Sequence, residues 1–337
     1  MQDFVYLFVY LIHTTTIPTM SISRRDFFKK SLVAGAGMAA AGMIGPLALE
    51  AEAKSRKKIR KAKRVIIMTF DGIRVDGLAK ANTPNIDSLI AAGSASFSTR
   101  VVMPSITLPN YTSHLTGAGP EVHGVATNGW KVDDYTLPAV ERDADGYFPS
   151  VFKALKDGVP GIKTGYYWNW GPLINPINTK YIDDKLLTAD EGYPALYDRA
   201  IEYLSANRNE KLFMFVYNGH TDEVGHASTW MSPEYLRSIE EGDAQVGRML
   251  SFLKAEGLYE ESHIMFISDH GGVGKGHGGL SPEEMEVPWV IAGPGIKKGF
   301  TIQEANNTVN TAATVVKLFG AEQPLCWTGE VPMSIFD

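Results

Sequence analysis

The chain has 337 residues, with 32 Lys and Arg against 38 Asp and Glu, 44% hydrophobic residues and a single cysteine, Cys326. That length is ample for a large core, and 21% charged with 10% aromatic residues is a globular composition. One cysteine excludes an intrachain disulfide framework and any cysteine-based zinc or iron–sulfur site, and a net charge of −6 speaks against a nucleic-acid partner.

Residues 1–53 read as a leader. Ser23-Arg24-Arg25-Asp26-Phe27-Phe28-Lys29 has the form of a twin-arginine export signal, followed by a weakly apolar stretch from Ser31 to Leu49. Gly35, Gly37, Gly42, Gly45 and Pro46 make that stretch a poor membrane span, and Ala51-Glu52-Ala53 supplies a cleavage site. Met20 offers a start for a signal over 20–53, which makes 1–19 a mis-start. The expected destination is the periplasm, with the twin-arginine machinery as a partner. Eight of the eleven residues from Lys54 to Arg64 are basic, a solvated tail whose alternative role is contact with an anionic membrane. From Val65 onward 20 basic residues face 34 acidic ones, a net of −14. Such a body accepts an anionic ester only where bound cations reverse the sign locally.

From residue 65 to 337 short apolar runs alternate with helical stretches. Buried strands are expected at Val65–Phe70, Leu212–Tyr217, Ile264–Ile267 and Trp289–Ala292. Helices are expected at Asn85–Ala92, Val151–Lys156, Ala195–Ala206, Pro233–Glu256 and Thr311–Leu318, with Gly93, Gly158, Gly257 and Gly320 as stops. This order predicts one α/β domain, a three-layer α/β/α sandwich around a largely parallel sheet.

Three of the strands are followed by Asp and His. Asp71-Gly72 follows the first, His220-Thr221-Asp222-x-x-Gly225-His226 the second, and Ser268-Asp269-His270-Gly271-Gly272 the third, with His277 seven residues after His270. Open α/β sheets bind ligands at the carboxyl ends of their strands, so these groups meet at one edge. Asp/His mixtures suit zinc or manganese, and six such groups are about right for two ions. His220 reads either as a support for Asp222 or as a loop histidine, and His13, His114, His123 and His263 as structural or unassigned. A further segment, Met103 to Gly117, predicts a helix with Pro109 in its first turn and Thr107 at its N-terminus, where free N–H groups favour an oxyanion. Thr107 is a candidate nucleophile, and Ser105 is the competing hydroxyl. The aromatic run Tyr166-Tyr167-Trp168-Asn169-Trp170 reads as core or as a surface on which a base or sugar could stack.

As an ordered set, Asp71-Gly72, Thr107-Leu-Pro109-Asn110, Pro120-Glu121-x-His123-Gly124, Asn128, Asp222-x-x-Gly225-His226, Asp269-His270-Gly271 and His277 resemble the alkaline phosphatase superfamily, and within it the type I phosphodiesterase/nucleotide pyrophosphatase branch. The resemblance implies a metal-dependent hydrolase of phosphoric esters. It places Asp71, Thr107, Asp269 and His270 around one zinc and Asp222, His226 and His277 around the other, with Asn128 donating to a phosphoryl oxygen. Around Thr107 and Asn128 the only sequence candidates for a cationic substrate contact are Arg100 and Lys131. Without an arginine clamp, a phosphodiester or pyrophosphate bond is expected ahead of a monoester. Phosphomonoesterase, sulfatase or phosphonate hydrolase activity is the alternative, and a non-catalytic metal- or ligand-binding protein the alternative of another class. One departure stands out: only Gly271 to Gly276 separate His270 from His277, where longer members carry a large insertion, so no large cap is expected there.

Overall fold

The computed structural model describes Ile59, residues 61–189 and residues 192–337. The leader and the start of the basic tract lie outside the described residues. The end of that tract does not behave as a tail. Arg64 opens the first strand with its side chain fully buried, donating to Glu261 Oε2 at 3.3 Å and to the Arg208 carbonyl. Lys63 pairs with the same Glu261 at 2.9 Å.

Among the described residues eight strands form one sheet: β1 (Arg64–Phe70), β2 (Gly93–Arg100), β3 (Lys163–Trp168), β4 (Asp184–Leu187), β5 (Leu212–Asn218), β6 (Ser262–Ile267), β7 (Glu286–Ala292) and β8 (Phe300–Thr301), in the order β4-β3-β5-β1-β6-β7-β2-β8. All neighbours pair in parallel except that β7 runs antiparallel to β6 and β2. The four strands expected from the apolar runs are β1, β5, β6 and β7, and each is buried along most or all of its length.

A strand buried on both faces sends alternate side chains to opposite sides. Val65, Ile67, Phe213, Phe215, Met265 and Ile267 join one core, under α3 (Thr107–Thr116), α5 (Val151–Gly158) and α10 (Asn310–Phe319). Ile66, Met68, Met214, Val216, Ile264 and Phe266 join the other, under α2 (Pro84–Ala92), α6 (Tyr193–Ala206) and α8 (Pro233–Ala255). The molecule is therefore the three-layer sandwich expected, with three short helices besides: α1 (Val75–Lys80), α4 (Pro120–His123) and α9 (Pro282–Met285), and with α7 (His220–Ser228) after β5.

Gly93 departs from its expected role. It ends α2 but is extended and is already the first residue of β2, so no left-handed stop is made there. Its lack of a side chain serves strand pairing instead, since a Cβ would stand 2.1 Å from the Ile291 carbonyl oxygen.

Candidate metal centre

The three central strands, β5, β1 and β6, are neighbours in the sheet, and Asp71, Asp222 and Asp269 follow their carboxyl ends. Asp71 is 1% exposed and Asp269 and His270 are fully buried. Thr107, the first residue of α3, is 5% exposed and brings its hydroxyl to 3.3 Å from His270 Nε2. The same Nε2 lies 3.3 Å from Asp71 Oδ1 and 3.2 Å from Asp269 Oδ2. Four electronegative atoms thus converge, and neither carboxylate oxygen has a hydrogen-bond partner.

Electrostatics makes this arrangement costly without a cation. Burial, then the charges of Asp269 and Asp222, push the Asp71 carboxyl well above the usual range, and burial with Asp222 does the same to Asp269. Burial holds His270 down at about 3, so its ring is neutral. A divalent ion satisfies all four atoms at once, with no proton needed on either carboxyl.

Asp222 and His226 stand four residues apart on α7 and so share one face of that helix. Asp222 Oδ2 lies 3.3 Å from His226 Nε2, and Asp222 Oδ1 lies 3.6 Å from His277 Nε2. Burial, the largest single effect, raises Asp222, but the hydrogen bond from His226 and the charges of His270, His277 and His226 together outweigh it and leave the carboxyl low; His226 in turn is raised to about 9, first by that hydrogen bond. A shared proton here stands where a cation would. The ligand-bearing side chains form two overlapping groups, Asp222 with His226 and His277, and Asp71 with Asp222 and His270.

All three histidines are oriented the same way. Nδ1 of His270 faces the Gly271 carbonyl at 2.9 Å, that of His226 the Lys275 carbonyl at 2.9 Å, and that of His277 the Ser105 carbonyl at 3.0 Å. A carbonyl only accepts, so each Nδ1 carries the hydrogen and each Nε2 is left as the ligand atom. The donor set therefore fits two divalent ions.

The competing hydroxyl is engaged elsewhere: Ser105 is fully buried and its Oγ donates to the Gly279 carbonyl at 2.7 Å. Asn128 Oδ1 accepts the Leu108 N–H at 2.9 Å, which fixes the amide beside the start of α3. Asn128, Thr107, Asp71, Asp222, His226 and His277 line one cleft of about 240 Å³. Lys131 is exposed, pairs through its backbone with Asp134 and does not line that cleft. Arg100 is ion-paired with Glu286 at 2.8 Å. His220 stacks on Tyr193 with ring centroids 5.3 Å apart and has Nε2 3.5 Å from Glu241, so it does not brace Asp222. Of the aromatic run, Tyr166, Tyr167 and Trp168 are core, and Trp170 lines the cleft.

Several supports were not legible in the spacing. Tyr217 donates its hydroxyl to Asp71 Oδ2 at 2.6 Å, and Thr221 donates to the Asp71 carbonyl. Trp230 Nε1 and the Tyr235 hydroxyl both donate to the Gly72 carbonyl at 2.8 Å. The Trp230 ring also accounts for Gly225 between the two ligands of α7, where a Cβ would stand 2.7 Å from the indole. Tyr217 carried one signal, a polar tip at the end of an otherwise apolar strand. Glu223, which no motif marks, also lines the cleft beside Asp222.

Residues 65–274 match the family described as type I phosphodiesterase / nucleotide pyrophosphatase. The chain belongs to that family. Among its curated relatives, a pyrophosphatase/phosphodiesterase of Schizosaccharomyces pombe is 29% identical over 61% of this chain and 44% of its own length. Mouse ectonucleotide pyrophosphatase/phosphodiesterase family member 3 is 26% identical over 61% of this chain and 24% of its own length. The chain thus spans less than half the length of these relatives. The fold is shared with murine ectonucleotide pyrophosphatase/phosphodiesterase 5, solved as an inactive threonine-to-alanine variant with AMP, at a TM-score of 0.69 and 17% identity over 82% of this chain and 100% of that one. It is shared too with a phosphonate monoester hydrolase of Silicibacter pomeroyi, at a TM-score of 0.61 and 16% identity over 80% and 75% of the two chains. The family match ends at residue 274, three residues before His277.

Proposed function

We propose that this chain is an exported, binuclear metal-dependent hydrolase that cleaves phosphodiester or pyrophosphate bonds in small molecules through a covalent phosphothreonine at Thr107. The observation that carries the reading is the convergence of Thr107 Oγ1, Asp71 Oδ1, Asp269 Oδ2 and His270 Nε2, whose two carboxylate oxygens are buried and have no hydrogen-bond partner. Asp71, Thr107, Asp269 and His270 would hold one ion, and Asp222, His226 and His277 the other. The ions, zinc in this reading with manganese as the alternative, supply Lewis acidity that lowers the proton affinity of an alcohol and offsets charge on leaving oxygens.

The residues then divide the work. The Thr107 hydroxyl gives its proton to solvent hydroxide, and its oxygen forms a bond to phosphorus as the bond to one leaving alkoxide breaks; that alkoxide takes a proton from water, which regenerates hydroxide. The intermediate is a Thr107 phosphoryl ester that keeps the second ester group on phosphorus; water next attacks it and gives up a proton to solvent, the Thr107 oxygen leaves and is reprotonated, and a monoester is released, the two in-line displacements giving net retention. Asn128, held by Leu108 N–H through its oxygen, offers its NH₂ to the equatorial phosphoryl oxygens. His226, His270 and His277 are kept in register by their carbonyl partners.

Charge supports a diester. Among the described residues that line the cleft there is neither Lys nor Arg, while Glu223 adds a carboxylate. A monoester dianion gains most from an extra cation, so a singly charged diester suits this lining better. The purified, zinc-loaded chain is expected to turn over bis(p-nitrophenyl) phosphate at least tenfold faster than p-nitrophenyl phosphate, and p-nitrophenyl sulfate least of all. Equal or inverted rates on the two phosphates would count against the diester assignment. Absence of turnover on every ester, with two ions bound, would favour the non-catalytic alternative.

Export rests on Ser23–Lys29 and the Ala51-Glu52-Ala53 site. Replacing Arg24 and Arg25 together with Lys is expected to leave the protein in the cytoplasm of a bacterial host. Fractionation showing an unchanged periplasmic amount would remove twin-arginine export from the proposal.

A further inference from the structure

Helix α3 carries more than the nucleophile. Tyr111 and His114 follow Thr107 by four and seven residues, a spacing that puts all three on one face of the helix. Tyr111 is 1% exposed and His114 is fully buried. Tyr111 shares a 2.8 Å hydrogen bond with Thr69 Oγ1, and Thr69 donates its own proton to the Ile267 carbonyl at 2.9 Å, so the tyrosine is the donor. His114 Nε2 lies 3.0 Å from the Ser268 carbonyl, which can only accept, so Nε2 carries the hydrogen. Its Nδ1 then accepts from Thr311 Oγ1 at 2.7 Å, and that oxygen accepts the Trp289 Nε1–H at 2.9 Å. Every proton in this network has one consistent place, and burial keeps the His114 ring neutral by lowering it to about 4.

The endpoints are what matter. Ile267 and Ser268 are the two residues directly before Asp269 and His270. Ser268 Oγ also accepts the Ile73 N–H at 3.0 Å, which ties in the turn that follows Asp71. One helix face therefore bears on two consecutive carbonyls at the end of β6, Ser268 directly and Ile267 through Thr69, and through Ser268 it reaches the third ligand segment.

We propose that Tyr111 and His114 are positioning residues, which fix the distance between the Thr107 hydroxyl and the Asp269–His270 pair. The inference rests on reading Thr107 as the nucleophile. Misplacing a reacting atom by about 1 Å costs on the order of 10²-fold in rate, so a clamp two turns away acts on turnover. His114 in particular had no role in the sequence beyond that of a structural histidine.

The test uses the full chain loaded with zinc and three variants. In His114→Gln the terminal amide reaches about as far as Nε2 and can donate to Ser268. In His114→Asn the amide reaches only the Nδ1 position and keeps Thr311 alone, and His114→Leu keeps neither. The expected result is a kcat lower by about 10- to 100-fold in the Asn and Leu variants, with KM little changed, and near-normal kcat in the Gln variant. Zinc affinity by chelator competition should fall about tenfold in the same two variants and hold in the third. If all three lower the melting temperature while kcat per folded molecule and zinc affinity stay at wild-type values, His114 is only packing and the proposal is overturned. Should the His114 variants not fold, Tyr111→Phe removes one hydroxyl and should show the same loss of kcat at constant KM; wild-type kcat there would overturn the clamp. Full activity in Thr107→Ala would defeat the nucleophile reading instead, and the zinc-affinity arm still tests the clamp on Asp269 and His270.

Discussion

Thr107→Ala is expected to lower kcat on a phosphodiester by about 10³-fold or more, while two zinc ions per chain and the melting temperature are retained. The size follows from what is lost. In the proposed site Asp71, Asp269 and His270 would be engaged as metal ligands, which leaves the Thr107 hydroxyl as the nucleophile of the convergent group. The side chain it leaves behind is small, so the cavity adds little destabilisation. Ser105→Ala is the matched control. Its hydroxyl donates to Gly279, beside the loop that carries His277, so it is expected to raise metal dissociation modestly and to keep turnover within about tenfold. Acid quenching during turnover of bis(p-nitrophenyl) phosphate should trap a nitrophenylphosphoryl group on wild-type protein and none on Thr107→Ala. Turnover in Thr107→Ala within tenfold of wild type would remove the covalent route altogether.

Metal removal is expected to cost the folded state more as pH rises. Without cations Asp71 and Asp269 have folded-state values raised well above the ordinary carboxyl range, chiefly by burial. A raised group contributes stability below its unfolded value and loses it as pH climbs through the folded one. His226, raised to about 9 by Asp222, follows the same sign and loses its contribution between about pH 6.5 and 9. Asp222, which is lowered, works the other way but only at acid pH. The chelated protein should therefore melt at lower temperature at pH 9 than at pH 6. Zinc binding displaces protons, so its apparent affinity should strengthen with pH by about tenfold per unit for each proton released. A melting temperature that zinc shifts equally at pH 6 and pH 9 would contradict the assignment of protons to these ligands.

Much of this was written in residue types at strand ends. β1, β5 and β6 announced themselves as apolar runs, because a strand buried on both faces has no polar positions to spare. Asp71, Asp222 and Asp269 were then placed by chain direction alone. The weaker strands were hidden for physical reasons. β2 reads Gly-Ser-Ala-Ser-Phe-Ser-Thr-Arg and is held by its neighbours β7 and β8 more than by apolar content, and β4 alternates at a half-exposed edge. The helical register that joins Asp222 to His226 was invisible as well, because His-Thr-Asp-Glu reads as a loop until a helix start is known. Side-chain supports such as Tyr217, Trp230 and His114 bridge segments more than 100 residues apart, and spacing along a chain carries no record of such pairs. Lys131 failed for the opposite reason: it is near Asn128 in sequence, and the turn it forms with Asp134 leaves it exposed and off the cleft lining.

The proposed two-ion site rests on the carboxylates of Asp71, Asp222 and Asp269 and their histidine neighbours. Its most direct test is elemental analysis of the purified chain titrated with zinc, read together with turnover on bis(p-nitrophenyl) phosphate. Saturation at two ions per chain is expected, with activity appearing only as the second ion binds, and a drop to one ion in His226→Ala. Saturation at one ion or none, or full activity after complete chelation, would contradict it.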